Sequence, residues 1–585
     1  MKKFLTTLLI LWFSVSVLAQ TVNIKIIETT DTHGQIYPYD FNNDRSSNSS
    51  LSQINSYVKE ERAKENQSVI LLSGGDILQG TPAVYYYNYE DTAGTHLYAA
   101  VMNYMGYDAG TVGNHDIETG HAVYDKFRKQ VNFPWLAANA VRVSDGMPYF
   151  QPYTVINKSG VKIAVLGLIT PHIPHWLPEK IWKGIEFEDM IEAAKKWMGI
   201  IKVTEKPDLI IGLFHSGVEY SYGEQKIDTY KNENASQLVA EQVPGFDIVF
   251  VGHDHHSWNK TVTNPDGREV LILGGTNSAR TIAVADVICK YDSSIAGWSS
   301  EIKGQTIDAR NFEVDTVFFK QFYFPYLKVK EYVSKPIGGF LSTISTRDAM
   351  FGSSEFCDLI NKIQMELTGA DISFTAPLAH DAKINAGTVY VRDMFNLYRY
   401  ENLLYSMKLT GKEIQGYLEY TAANWFNIMN NENDHLLNFI KDEKGVIVQS
   451  ERSGFPMLKE RYYNFDAALG LNYTVDVSKP EGGRVTITSM SNGSEFNMNA
   501  TYLVAVNSYR GNGGGGHLIE GAGIPLEELE KRVVTSTEKD LRYYMMKWIE
   551  NKGEVKPVSY NNWKIIPENW WVKAKEKDYK LLFPD

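Results

Sequence analysis

Residues 23–34 read NIKIIETTDTHG, an apolar run that ends on Asp31 and His33. The arrangement recurs in SVILLSGGD (68–76), GTVGNHD (110–116), DLIIGLFH (208–215) and DIVFVGHDH (247–255). Short apolar runs separated by amphipathic stretches are typical of buried strands in an α/β fold. Because ligands in such folds gather beyond the carboxyl ends of strands, we expect these polar residues to meet at one place.

The composition excludes several classes of protein. The 585-residue chain is 43% hydrophobic and 22% charged, which suits large buried cores and excludes disorder. Its 58 Lys and Arg against 70 Asp and Glu give a net charge of −12, which argues against long nucleic acid as a partner. With only Cys289 and Cys357, a Cys-rich metal site is excluded, and we expect both thiols to be free.

Residues 1–19 have the pattern of a secretory signal peptide. Two lysines precede an apolar run from Phe4 to Leu18, and Ala19 follows. The run is shorter than the roughly 20 residues of a spanning helix. We therefore expect cleavage after Ala19 and an exported protein, periplasmic or extracellular, without a membrane span; an uncleaved anchor is the alternative.

The chain divides into two large parts. Alternating apolar runs continue to about Val317, and residues 318–340 mix aromatic and basic residues in a predicted helix that Pro336 and Gly338 end. We place a linker and hinge at 318–340, between a first domain (20–317) and a second, mixed α/β domain (341–585).

The residues at the predicted strand ends have the chemistry of metal ligands. They are Asp31, His33, Asp76, Asn114, His215, His253 and His255. Two carboxylates, an amide oxygen and four imidazoles suit Mn, Zn, Co or Fe better than calcium. A single Asp-x-His motif would indicate no more than a turn or a core histidine, but five such motifs in order indicate a shared site.

These ligands can be divided between two ions if Asp76 bridges. One divalent ion then takes Asp31, His33, Asp76 and His255, and the other takes Asp76, Asn114, His215 and His253. Two dications, two carboxylates and a hydroxide leave about +1, which favours an anionic ester, and such a pair activates water and clamps an in-line displacement.

Five ordered blocks resemble the signature of calcineurin-like metallophosphoesterases: DTHG (31–34), GDILQG (75–80), GNHD (113–116), FHSG (214–217) and GHDH (252–255). More narrowly they are similar to the secreted 5′-nucleotidase and 2′,3′-cyclic-nucleotide 2′-phosphodiesterase family, as are 393–419, 463–477 and 507–517. The resemblance implies a four-layer αββα sandwich, a C-terminal substrate-binding domain and the ligand set above.

The resemblance also implies residue roles. His115 is similar to the non-ligand histidine that stabilises phosphoryl charge or protonates the leaving oxygen, which is worth about 10² to 10⁴ in rate. Nucleotidases orient that histidine with an aspartate three residues later; Glu118 stands here, either as the partner or as an exposed loop acid. Tyr400 and Tyr509 match the two rings that stack the nucleobase, and Asn114 is expected at the substrate as well as at the metal.

The substrate prediction depends on residues 374–387, FTAPLAHDAKINAG, which lack the arginine of the 5′-nucleotidase branch. Ala376-Pro377 and LYRYEN (397–402) are similar instead to the cyclic-phosphodiesterase branch. We expect a monomer that acts on nucleotides as a 2′,3′-cyclic-nucleotide 2′-phosphodiesterase with 3′-nucleotidase activity. The alternatives are a 5′-nucleotidase or UDP-sugar hydrolase, a sulfur-ester hydrolase, and a non-catalytic exported metal- or nucleoside-binding protein.

Overall fold

The computed structural model describes residues 21–293, 297–450 and 454–584. The predicted signal peptide lies outside these residues. The predicted fold class is confirmed: the chain forms an α/β structure in which two large sheets make up the first half and smaller mixed sheets the second. Both cysteines are buried and free, as expected.

Two six-stranded sheets form the first half. In spatial order the first contains Gly297–Asp308, Thr281–Asp292, Thr21–Thr29, Gln67–Ser73, Ala109–Thr111 and Trp135–Leu136, and the second contains Trp258–Thr263, Glu269–Gly274, Ile248–Val251, Leu209–His215, Val161–Ile169 and Tyr153–Lys158. The strands that precede the predicted ligands run parallel to one another within each sheet. Their carboxyl ends therefore lie along one edge of each sheet.

The sheets pack face to face between two layers of helices. In the first strand Ile26 faces the second sheet and Ile27 faces outward, and both are fully buried. Burial on both faces explains why the strands are continuous apolar runs. Leu51–Arg62 and Leu97–Met105 cover the first sheet, and Met190–Thr204 and Ser236–Gln242 cover the second. This is the expected αββα sandwich. Shorter helices complete it: Pro82–Tyr85, Tyr86–Glu90, Asn114–Glu118, His121–Gln130, Ile173–Trp176 and Glu179–Trp182.

Two features of the sheets differ from the sequence pattern. The apolar stretch 154–169 is a hairpin of two antiparallel strands that turns at Ser159 and Gly160, both at positive φ. The long edge pair Thr281–Asp292 and Gly297–Asp308 was not predicted. Most of the outer strand is partly or fully exposed, so it lacks the apolar run that marks a buried strand.

The segment predicted as a linker contains two helices and a strand. Thr316–Gln321 and Tyr323–Val333 are helical, and Pro336–Phe340 pairs with Gly387–Tyr390 and Glu554–Val555 of the second half. The predicted helix therefore ends at Val333, and the division of the chain at 318–340 stays a prediction.

The second half contains a five-stranded sheet and a three-stranded sheet. The larger contains Ala467–Leu469, Ile372–Thr375, Thr501–Asn507, Leu404–Thr410 and Val533–Ser536, and the smaller contains Val485–Met490, Leu471–Asp476 and Trp563–Ile566. The α-helices of this half are Thr346–Ala349, Glu355–Thr368, Val391–Leu397, Gly411–Trp425, Ser508–Gly511, Leu526–Arg532, Leu541–Lys552 and Glu568–Leu582. In the three described stretches, no helix is long and apolar enough to cross a bilayer.

Candidate metal centre

The seven predicted ligands all lie where strands of the two sheets end. Asp31 and His33 follow Thr21–Thr29, Asp76 follows Gln67–Ser73, Asn114 follows Ala109–Thr111, His215 ends its own strand, and His253 and His255 follow Ile248–Val251. Left-handed φ angles occur at five of them: 48° at Asp31, 49° at His33, 53° at Asp76, 80° at His253 and 61° at His255. This conformation costs roughly 1 to 2 kcal/mol per non-glycine residue, and such strain clusters at functional sites.

Four of the predicted ligands form one compact group. One donor atom each of Asp31, His33, Asp76 and His255 lies within 4.8 Å of the other three. His33 Nδ1 faces the backbone oxygen of Gln79 at 3.2 Å and donates to it, so His33 Nε2 presents its lone pair to His255 Nε2, 3.1 Å away. Two converging imidazole nitrogens fit a shared cation, because ligand bonds of about 2.1 Å place donor atoms roughly 3 to 3.5 Å apart.

The other predicted ligands converge beside this group. His215 Nε2 lies 3.1 Å from Asp76 Oδ2 and 3.1 Å from Asn114 Oδ1. Nδ1 of His253 lies 2.9 Å from the same Asn114 oxygen. The structure thus brings the seven side chains together in two sets that share Asp76.

The protonation states of the group suit a cation. Burial raises the pKa of Asp76, but the imidazoles of His215 and His115 outweigh it and hold the pKa well below its usual range. Burial lowers the pKa of His33 to about 4, so that ring is neutral. Burial opposes a charge on His215, yet the Asp76 carboxylate raises the pKa of His215 to about 10. The proton between His215 and Asp76 therefore occupies a position that a divalent ion can take.

Asp116 is a positioning residue that the sequence patterns did not single out. Its fully buried carboxylate accepts four backbone N–H bonds, from Ile77 at 2.8 Å, Leu78 at 2.9 Å, Asp76 at 3.1 Å and Gly113 at 2.8 Å. These bonds tie the turn that carries Asp76 to the turn that precedes Asn114. Gly113 is required there, since a methyl group on its Cα would lie 2.1 Å from Asp76 Oδ1.

His115 lies at the edge of the group. Its backbone N–H donates to Asp76 Oδ1 at 2.8 Å, and its ring centroid is 5.5 Å from that of His33. Nδ1 of His115 lies 2.5 Å from Glu118 Oε2, so the longer carboxylate reaches the ring. The contact leaves Nε2 as the nitrogen that can meet a substrate oxygen.

The two predicted base-stacking tyrosines lie on different segments of the second half. Tyr400 follows Val391–Leu397 and meets Tyr463 edge-on, with 6.0 Å between ring centroids. Tyr509 lies in Ser508–Gly511, and Gly514 packs against its ring, since a methyl group on Gly514 would come within 2.4 Å of it. Among the described residues, no ring contact joins Tyr400 to Tyr509.

The two halves meet beside His115. Tyr85 donates to Asp540 at 2.9 Å and Tyr89 donates to Glu401 at 3.0 Å. These groups and Glu118 line a cavity of about 170 Å³ between the halves. Residues of the second half therefore lie close to the partner of His115.

Two family models match the chain. The calcineurin-like phosphoesterase model matches residues 24–257, and the 5′-nucleotidase C-terminal domain model matches residues 332–520. The chain belongs to the calcineurin-like phosphoesterases that carry a 5′-nucleotidase C-terminal domain. It is a metallophosphoesterase, a hydrolase of phosphoric ester bonds.

Relatives of this metallophosphoesterase extend over its length. It is 26% identical to the trifunctional nucleotide phosphoesterase YfkN of Bacillus subtilis over 94% of this chain and 39% of YfkN, so it spans about two fifths of that protein. It is 27% identical to the 2′,3′-cyclic-nucleotide 2′-phosphodiesterase/3′-nucleotidase of Salmonella typhimurium over 97% of this chain and 92% of the relative. A provisionally designated 5′-nucleotidase of Staphylococcus aureus shares the fold, with a TM-score of 0.75 and 21% identity over 93% of this chain and 99% of its own.

Proposed function

We propose that the chain is an exported metallophosphoesterase with two divalent ions that hydrolyses nucleotides, as a 2′,3′-cyclic-nucleotide 2′-phosphodiesterase with 3′-nucleotidase activity. The observation that carries the proposal is the pair of ligand sets that share Asp76. His115 lies beside them as the proposed general acid, with Glu118 in contact with its Nδ1.

The residues present fit two divalent ions. Asp31, His33, Asp76 and His255 would hold one, and Asp76, Asn114, His215 and His253 would hold the other. When bound, such a pair supplies Lewis-acid chemistry, which lowers the pKa of coordinated water and offsets phosphate charge. Mn, Zn, Co and Fe all accept this mixture of oxygen and nitrogen donors.

The chain's own residues supply orientation and a proton. Glu118 holds Nδ1 of His115 and so directs Nε2 toward the substrate. Water attacks phosphorus and releases a proton to solvent as the bond from phosphorus to the 2′ oxygen breaks. The His115 Nε2 proton moves to that oxygen or stabilises the phosphoryl charge. Tyr400 and Tyr509 are proposed to stack the base, which is worth roughly 1 to 3 kcal/mol per base.

The cyclic substrate is favoured by the second half of the chain. Residues 374–387 offer no arginine for a terminal phosphate. The Salmonella relative, aligned over nearly the whole chain, carries both activities in its name. The residue pattern of 1–19 supports export, and we propose that the enzyme acts as a monomer.

One assay tests this function. Release of phosphate and nucleoside is measured from 2′,3′-cAMP, 3′-AMP, 5′-AMP and UDP-glucose with Mn, Co and Zn compared. We expect the highest kcat/KM with 2′,3′-cAMP and its loss in Asp76→Asn. A higher kcat/KM for 5′-AMP would contradict the proposed preference for cyclic nucleotides. A metal-loaded sample that hydrolyses none of the four compounds would contradict the proposed activity on nucleotides.

A further inference from the structure

His253 is held on both of its nitrogens and on one face of its ring. Nδ1 lies 2.9 Å from Asn114 Oδ1, within the ligand set, and Nε2 lies 3.2 Å from Glu233 Oε1. The ring stacks on Trp176 at a centroid distance of 5.5 Å and an angle of 28°. The orientation of this imidazole is therefore set from several sides.

The other three imidazoles of the group are held in a different way. His215 faces the backbone oxygen of Gly74 at 2.6 Å, His33 faces that of Gln79 at 3.2 Å, and His255 faces the Asn277 amide at 3.1 Å, each through Nδ1. All three present Nε2 to the ligand group, and their outer partners are neutral. Among these four ligands, His253 alone presents Nδ1 inward and meets a carboxylate with its other nitrogen.

Glu233 is fixed where it meets His253. The residue is largely buried, and its second oxygen lies 3.5 Å from His172 Nδ1. Its backbone oxygen accepts hydrogen bonds from Thr170 Oγ1 at 3.0 Å and from Ser216 Oγ at 2.8 Å. With backbone and side chain both engaged, the carboxylate is held in position for the imidazole.

We propose that Glu233 is a positioning residue that accepts the Nε2 proton of His253 and so keeps the Nδ1 lone pair directed at the second ion. The inference rests on the proposed two-ion function. A carboxylate behind a ligating histidine fixes its tautomer and increases its basicity, and loss of such a partner typically lowers metal affinity about 10- to 100-fold.

The proposal predicts a selective effect. Glu233 touches the set formed by Asp76, Asn114, His215 and His253, and not the set that contains His33 and His255. Removing its carboxylate should therefore weaken the binding of one ion and leave the binding of the other unchanged. A general loss of structure would weaken both.

The test measures metal binding directly. Purified full-length chain is stripped with chelator, and Mn²⁺ binding is followed by equilibrium dialysis for the natural chain, Glu233→Gln and Glu233→Ala. Since a glutamine side chain keeps an acceptor oxygen without the charge, we expect one of two sites to weaken about 10-fold in Glu233→Gln and about 100-fold in Glu233→Ala. Glu186→Gln is the matched control, because that exposed carboxylate faces Lys231 rather than an imidazole.

Each outcome decides a separate point. Two unchanged sites in both Glu233 variants, or equal weakening of both sites, would overturn the proposal. If Glu233→Ala does not fold, Glu233→Gln decides alone by the same criterion. A natural chain that binds no pair of ions would instead overturn the proposed function, before any variant is compared.

Discussion

Asp116→Asn tests how the two ligand turns are held together. The Asp116 carboxylate is the common acceptor of four backbone N–H groups, two on each oxygen. An asparagine keeps one acceptor oxygen and turns an NH₂ group toward two N–H donors. In either orientation of the amide, two buried donors lose their acceptor.

The magnitude follows from those two donors. A buried N–H left without a partner costs about 1 to 3 kcal/mol, which gives roughly 2 to 6 kcal/mol for two. Burial and the Asp76 carboxylate raise the pKa of Asp116, so the native charge is itself unfavourable and its removal offsets part of the loss. We therefore expect destabilisation near the lower end, about 2 kcal/mol, and weaker binding of both ions because the Asp76 turn is released.

Urea unfolding of the metal-free chain and Mn²⁺ dialysis measure these two effects. Asp145→Asn is the control, since that exposed carboxylate pairs with Arg142 at the surface, where a pair contributes about 0 to 1 kcal/mol. A change below about 0.5 kcal/mol for Asp116→Asn, which is typical of a surface substitution, together with unaltered metal binding would show that these four bonds do not hold the two turns together.

Three further variants probe the reaction, the base and the contact between the halves. His115→Ala should keep both ions but lose about 10² to 10⁴ in kcat; metal loss would reassign it as a ligand. Tyr400→Ala should raise KM for 2′,3′-cAMP more than for a base-free phosphodiester, and equal effects would remove it from base binding. Burial raises the pKa of Glu401 to about 8; the Arg542 guanidinium opposes this rise and the Glu118 carboxylate adds to it. In the folded chain the Glu401 side chain therefore keeps its proton at neutral pH. The contribution of Glu401 to the free energy of unfolding is therefore fully present below its unfolded pKa near 4.5, and it falls by at most about 1.4 kcal/mol per pH unit as the pH rises to 8. Glu401→Gln should make the fall in Tm over this pH window less steep, and parallel Tm profiles for the two proteins would count against it.

Much of the candidate site could be predicted because its ligands follow apolar runs. Asp31, Asp76 and His253 are far apart in the chain, yet parallel strands bring their turns to neighbouring sheet edges. The same rule failed for Gly297–Asp308, since an exposed edge strand has no apolar run to reveal it.

The supporting residues could not be predicted in this way. Asp116 acts through backbone groups of two separate turns, and backbone partners leave no mark on side-chain identity. Glu233 lies in an irregular segment twenty residues before His253, where an acidic residue is ordinary until the fold brings it to the ring. Its position in the sequence alone does not distinguish it from an exposed loop acid.

The proposed reaction requires a pair of ions arranged around one carboxylate. Anomalous diffraction from crystals of the Mn²⁺-loaded chain measures this arrangement directly. We predict two peaks in contact with Asp76, one also bound by His33 and His255 and the other by His215 and His253. A single peak, or peaks remote from Asp76, would contradict it.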